Sequence, residues 1–318
     1  MKFDVVTFGS AFVDVYLTSP DFKIIKSGKS PTGVALCEVY GGKVGIEKML
    51  VTTGGGATNT AVGFERLGLQ TGCVCCVGKD DWGVYVRKEL LREGVSPIYI
   101  QQAEEQTSYS TMLVSKEGGR SALVYRGASN RLSWRKVAWD KLKPKWFYIS
   151  SLGGDLTLLT KIVRVAQEKG IKIALNPGSK EIAAEAKLKA FLAYVEVLLL
   201  NRQEAARLTK HIFKNKEEIL GDVGKLGAKM VAVTEGRKGA TLVLGKEKIY
   251  QPAVKIKTVE ETGAGDGFGC GLVGGLIKGM IPEEALKLGV ANGASVAKHF
   301  GPKEGLLFEP EINKWLKK

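Results

Sequence analysis

Hydrophobic and polar positions along the chain fall into two rhythms. In the first, a short apolar run is followed by a longer segment with apolar positions three and four apart, which predicts strand–helix units. Asp4 to Phe8 opens the series as a strand ending at Gly9-Ser10. Further strands are predicted at Thr71 to Val77, Trp146 to Ser150, Ile171 to Leu175, Glu196 to Leu200 and Met230 to Thr234. Helices are predicted after Thr53-Gly54-Gly55-Gly56 up to a stop at Gly68, and after Gly78-Lys79-Asp80-Asp81-Trp82-Gly83 up to Glu93, with Gly94 as the stop. Others run from Leu156 to Lys169, from near Glu181 to Ala193 and from Lys216 to Leu226, with two more at the end of the chain after a hairpin from Ala240 to Gln251. Strands as apolar as Val197-Leu198-Leu199-Leu200 suit a sheet covered on both faces.

The second rhythm is alternation. It occurs from Ala11 to Leu17, from Val34 to Tyr40, and in Ser110 to Ser115 and Arg120 to Arg126, which Lys116-Glu117-Gly118-Gly119 joins as a hairpin. The rest of residues 20 to 50 is rich in Lys and Gly and reads as an added β segment and loop. Segments 11–40 and 98–127 together predict a small β layer set on the main sheet, a lid. With no repeat, low-complexity tract or long linker, the expectation is a single α/β domain over residues 1–318. Its sheet is doubly wound and mostly parallel with helices on both faces, and the lid is inserted in it.

Composition narrows the classes of partner. The 318 residues, 44% hydrophobic and 25% charged, can bury a large core. Forty-seven Lys and Arg against 33 Asp and Glu leave a net charge of +14, which favours anionic ligands such as nucleotides or sugar phosphates. The basic residues are spread along the chain without an arginine-rich arm, so nucleic acid is not an expected partner. Neither is a membrane, because no apolar run approaches the roughly 18 residues of a span. The N-terminus enters a strand directly instead of a signal peptide. Cys37, Cys73, Cys75, Cys76 and Cys270 lack the spacing of a disulfide framework, and only His211 and His299 could join them on a metal. Core packing in a reducing cytoplasm is the expectation.

The densest candidate chemistry lies in Glu260 to Gly271, which opens an apolar helix running to about Lys278. Gly263, Ala264 and Gly265 permit a tight turn whose N–H groups converge where the helix dipole also favours an anion. Asp266 beside that hole is placed to take a proton from an attacking hydroxyl, although an aspartate there can equally cap the first turn. Asp14 follows the first strand and suits either ligand hydroxyls or a solvated turn. Gly54 and Gly55 let a ligand approach the backbone, where Asn59 offers both a donor and an acceptor. Polar clusters at three strand ends begin at Asn176, Asn201 and Thr234; each alone reads as a turn or cap, but together with the Gly263–Asp266 turn they form a constellation in a ligand crevice.

In this order the motifs resemble the ribokinase-like (PfkB) family of carbohydrate and nucleoside kinases, and the resemblance covers essentially the whole chain. Gly54, Gly55, Asn59 and Arg66-Leu67-Gly68 look like the family's N-terminal glycine signature, and Val77 to Gly83 is similar to the stretch that follows it. The resemblance implies an ATP-dependent kinase in which Asp266 is the base and Gly263, Ala264 and Gly265 form the anion hole. It places the acceptor on Asp14, Gly54, Gly55, Asn59, Arg126 and Asn176. It places the nucleotide on Asn201, Thr234, Gly236, Gly239, Gly263, Gly265 and Asn292, and Mg²⁺ near Glu204 and Asn201 through water. A homodimer formed through the lid is also implied. The family usually reads Asp-Thr where Glu260 and Glu261 stand, and that aspartate is linked to a monovalent-cation site in some members, so potassium dependence stays open. Within the family, a nucleoside kinase would need a platform such as Phe12, Tyr109 or Tyr125, and a phosphosugar kinase could use Lys43 or Arg126. A nonenzymatic nucleotide or sugar sensor is the alternative from another class.

Overall fold

The structure, a computed structural model, describes residues 2–28, 33–38, 40–115 and 119–317. β1 (Val5–Phe8) leads into β2 (Phe12–Thr18), β3 (Lys23–Lys26), β4 (Val34–Cys37) and β5 (Lys48–Gly54), and then into α1 (Gly56–Arg66). β6 (Thr71–Val74), β7 (Cys76–Gly78), α2 (Asp81–Arg92), β8 (Gln101–Ala103), β9 (Ser108–Val114) and β10 (Arg120–Tyr125) complete the first half. The strand–helix units follow as β11 (Trp146–Ile149), α3 (Leu156–Lys169), β12 (Lys172–Leu175), α4 (Ser179–Ala183), α5 (Glu185–Leu192), β13 (Val197–Asn201), α6 (Arg202–Thr209), α7 (Lys216–Val223) and β14 (Met230–Thr234). The hairpin β15 (Ala240–Leu244) and β16 (Glu247–Gln251) and the helices α8 (Ala264–Ile277), α9 (Pro282–Ala297) and α10 (Ile312–Leu316) close the chain.

The main sheet has the order β16-β15-β14-β13-β12-β11-β1-β6. Strands β14 through β6 in that order pair in parallel, and β15 and β16 add an antiparallel edge. Its strands are apolar because successive residues face two separate cores. Phe8, Phe147, Ile149, Leu198 and Leu200 pack with Leu158 of α3 and Leu188 of α5. Their neighbours Val5, Trp146, Tyr148, Val197 and Leu199 pack with Phe64, Phe268 and Leu288 on α1, α8 and α9. From β1 the chain moves out to β6, returns to the other flank at β11 and walks outward from there. The strand order therefore reverses beside β1, which puts the expected crevice at the carboxyl ends of β1 and β11.

The small sheet has the order β10-β9-β2-β5. Its makeup differs from the segments expected from the alternating pattern. Lys48–Gly54 belongs to it, opposite β2, although it read as the end of a loop. Lys23–Lys26 and Val34–Cys37 instead pair as the ribbon β3-β4, and Gln101–Ala103 pairs with β7. That second pairing divides the predicted strand Thr71 to Val77, because β6 stays in the main sheet while β7 leaves it. The expected hairpin is present as β9 against β10, from Tyr109 opposite Tyr125 to Val114 opposite Arg120. The Lys116 to Gly118 part of its turn, Met1 before the first strand and Val39 in the alternating run lie outside the described residues. Among the described residues, no helix is long and apolar enough to cross a membrane.

Candidate active site

Helix α8 begins at Gly263, whose φ of 78° lies in the left-handed region. A β-carbon there would run into the Pro302 carbonyl, so the turn requires glycine on two counts. Of the three expected anion-hole amides, that of Ala264 donates to Glu261 O at 3.2 Å within the turn. The first-turn amides of Gly265 and Asp266 have no acceptor inside the helix, as at any helix start. Asp266 is half-buried, and its Oδ2 accepts from Asn59 Nδ2 at 2.8 Å. Burial pushes its carboxyl up to about 6, with the Asn59 bond pulling down and the Asp14 charge pushing further up. α1 thus delivers Asn59 to Asp266 across 207 residues of sequence.

Asp14 lies on the same face of β2 as Phe12 and Tyr16, and it is 5% exposed. Its row across the small sheet runs Thr52, Asp14, Ser110, Val124. The Ser110 hydroxyl donates to Asp14 Oδ1. Burial raises the Asp14 carboxyl, against Ser110 and the charge of Lys303. Gly54 sits where it does because a β-carbon there would coincide with the Asp14 carboxylate. Lys303, 6% exposed, donates to Thr53 Oγ1, and burial pulls its ammonium down to about 8 against the carboxylates of Asp14, Glu93, Glu89 and Glu304. Its backbone is clamped by Arg66, whose NH1 donates to Lys303 O at 2.7 Å while NH2 and Nε donate to Glu93 at 2.7 and 2.8 Å.

On the other side of the Asp266 turn lies a cavity of about 670 Å³, lined by Thr234, Gly239, Val254, Gly265, Phe268 and Ala294 among others. That is within the size range of nucleotide and cofactor sites. Arg237, Lys255 and Lys257 also line it and supply positive potential. The Gly236–Lys238 turn at its end is anchored from behind, because Glu235 pairs with Arg202 at 3.0 Å and with Lys216 at 2.6 Å. Gly236 and Gly239 both have positive φ, 56° and 94°.

The remaining expected residues divide. Asn201 and Glu204 form a capping box at the start of α6, with Glu204 N donating to Asn201 Oδ1 at 2.9 Å and Asn201 N to Glu204 Oε2 at 2.8 Å. Burial raises the Glu204 carboxyl, against the Asn201 amide and Arg207. Asn176 lies at the end of β12 with its Nδ2 donated to Leu199 O at 3.1 Å. Asn292 is fully buried and spends its amide on Gly267 O and Leu307 N, so it ties α9 to α8 and to the C-terminal segment instead of lining the cavity. Arg126 is exposed and Lys43 lies on an exposed loop. Tyr109 and Tyr125 are opposite one another in register, on the face turned away from Asp14. Among the described residues, no group of three or more His, Cys, Asp or Glu could hold a metal ion.

Sequence reasoning missed Ser110, Lys303 and Arg120. Ser108 and Ser110, polar at alternate positions of a strand, carry a signal for an inward polar face. Nothing local marks Lys303, because Pro302-Lys303-Glu304-Gly305 has the composition of a solvated turn. The sequence matches the profile described as pfkB family carbohydrate kinase over residues 2–307. It is 25% identical over 306 residues to the ribokinase of Haemophilus influenzae, covering 94% of either chain. It is 27% identical over 260 residues to the cytidine kinase of Thermococcus kodakarensis, 78% of this chain and 88% of that one. The fold superposes on the ribokinase of Thermotoga maritima with a TM-score of 0.80 at 23% identity, over 99% of this chain and 100% of the other.

Proposed function

Because the chain belongs to the pfkB carbohydrate kinases, which are phosphotransferases with hydroxyl acceptors, we propose that it carries the γ-phosphate of ATP to a hydroxyl of a sugar with Asp266 as the base. At the coarser level it is a sugar or nucleoside kinase. The observation that carries the finer reading is the setting of Asp266. Its carboxyl is raised to about 6 and bonded to Asn59, at a turn whose Ala264 and Gly265 line the 670 Å³ cavity and whose Asp266 feels the charge of Asp14. The acceptor would lie between Asp14 and Asp266, whose charges already feel one another, with the small sheet as a lid above it. Asp14 and Asn59 would orient the sugar. Asp266 would take the hydroxyl proton as the new O–P bond forms and the bond to the β-phosphate oxygen breaks. The Gly265 and Asp266 amides would stabilise the charge on the transferring group.

ATP fits the cavity by volume, by its apolar lining of Val254, Phe268 and Ala294, and by its basic rim. Gly265 faces open space, so a phosphate can approach its backbone. For Mg²⁺ the fit is a water-mediated one: Glu204 is a partly desolvated carboxylate, for which a hydrated cation is the natural partner. Bound there, Mg²⁺ would supply charge neutralisation between the phosphates. Glu204→Gln is accordingly expected to raise the magnesium concentration for half-maximal rate about threefold or more, while the capping box keeps its geometry because an amide still accepts from Asn201 N. A magnesium titration that superimposes on that of wild type would remove Glu204 from this role.

The reading is tested by ADP release from MgATP in the presence of D-ribose, D-fructose, cytidine and fructose 6-phosphate, with Asp266→Asn as the blank. Turnover with a free sugar above the blank is expected. Turnover confined to cytidine would replace the sugar by a nucleoside, and release that is independent of any acceptor would defeat the kinase assignment.

A further inference from the structure

Glu260 precedes the anion-hole turn and is among the most deeply buried carboxylates in the molecule, with a side chain 1% exposed. Its Oε1 accepts from Thr262 N at 2.7 Å and from the Thr262 hydroxyl, and its backbone is tied to Ala297 O. Its Oε2 is buried without a hydrogen-bond partner. Among the described residues, the one cation paired with it is Arg120, which donates from NH1 to Oε1. Arg120 comes from the first position of β10, an edge strand of the small sheet, 140 residues away. The register explains the reach. Arg120 is opposite Val114, Val114 is opposite Thr18, and this row shares the face of Asp14 and Tyr16. On that face Tyr16 also meets Phe300, ring to ring at 5.2 Å.

We infer that Arg120 is a positioning residue for the anion hole, holding Glu260 and through it the Thr262–Gly265 turn in working shape whenever the small sheet lies over the site. A buried carboxylate without a cation is costly, and removing one partner of such a pair exposes that cost in full. When β10 lifts away, Glu260 loses the charge partner it has in Arg120, and the turn that shares its Oε1 through Thr262 loses one support of its conformation. Sheet position and anion-hole order are then one coupled equilibrium. A hydroxyl acceptor that draws the sheet down completes the groups that stabilise phosphoryl transfer, while water alone does not. The inference rests on the kinase reading for the purpose of the turn, but the contact that carries it does not.

The test uses amide hydrogen exchange in the full-length protein without ligand, so it is decided whether or not the kinase reading survives. The reporters are the Ala264 amide, bonded to Glu261 O at 3.2 Å, and the Gly267 amide, bonded to Gly263 O at 2.8 Å. Arg120→Gln is expected to speed both by about tenfold or more, with exchange in α9 unchanged. Arg120→Lys keeps a cation on the same strand and should restore at least half of the protection. Adding Glu260→Gln to Arg120→Gln removes the stranded charge and should slow exchange relative to Arg120→Gln alone, a non-additivity that simple loosening of the strand does not produce. Acceleration confined to residues 108–125, or a double variant as fast as the sum of the singles, would overturn the assignment.

Discussion

Asp266→Asn is expected to lower kcat by at least about a hundredfold, the lower range for a positioned general base, and to leave the fold intact. Asparagine has the size of aspartate and keeps an acceptor for Asn59 Nδ2, so the 2.8 Å contact need not be lost. What goes is the ability to take a proton. The wild-type pH profile follows from the same group. With its carboxyl at about 6, kcat/KM should fall about tenfold per pH unit below that value and level off above it, and the residual rate of the variant should lack this limb. Stability supplies an independent check. An acid raised in the folded state binds its proton more tightly there than in the unfolded chain, so its ionisation costs stability. The cost is absent below about pH 4, grows as pH climbs to about 6, and is complete above it. Neutral asparagine escapes it, so Tm of Asp266→Asn at pH 8 should be no lower than that of wild type. A folded variant with near-normal turnover would take Asp266 out of the mechanism, and a loss of rate accompanied by a large drop in Tm would trace it to misfolding.

Gly54→Ala should cripple the acceptor side selectively. The missing β-carbon of Gly54 occupies the place of the Asp14 carboxylate, so a single methyl drives that carboxylate away from Ser110 and out of the crevice. Losing a charged hydrogen bond to a ligand costs about 1.5–3 kcal/mol, or on the order of 10- to 150-fold in kcat/KM for the acceptor. The KM for ATP should move less than about twofold, because the 670 Å³ cavity shares no wall with Gly54. Non-additivity gives the decisive comparison. In an Asp14→Ala background the methyl has room, so adding Gly54→Ala should cost little more than Asp14→Ala by itself. Equal penalties in both backgrounds would mean that Gly54 acts through the backbone of β5 and not through Asp14.

What the chain determines locally was legible in its sequence. The strands β11 to β14 are short and apolar over their buried positions because helices cover both faces, and that requirement writes itself into consecutive residues. The turn at Gly263 to Asp266 was legible for a similar reason: a left-handed residue, a helix start and an acid within the first turn are all properties of neighbours in sequence. The family resemblance carried the order of the motifs, and the profile match over residues 2–307 bears that out. It did not foresee that Asn292 spends its amide inside the core. A cap was one reading of the Asn201 cluster, but the helix α6 that Asn201 and Glu204 cap was not among the predicted helices.

The rest depends on who meets whom. Lys48–Gly54 has too weak an alternation to declare itself a strand, and it becomes one by pairing with β2, which also lays Gly54 against Asp14. Ser110 reaches Asp14 over 96 residues, Arg120 reaches Glu260 over 140 and Lys303 reaches Thr53 over 250. In each case one partner is a charged group, and only packing decides whether water or protein surrounds it. Burial then does what composition cannot: it pulls Lys303 down to about 8 and lifts Asp266 to about 6. The sequence by itself determined the strand–helix framework and the turn that opens α8, because hydrophobic period and backbone stereochemistry are local. The tertiary structure alone decided which charges lose their water, because desolvation is a property of the assembled surroundings.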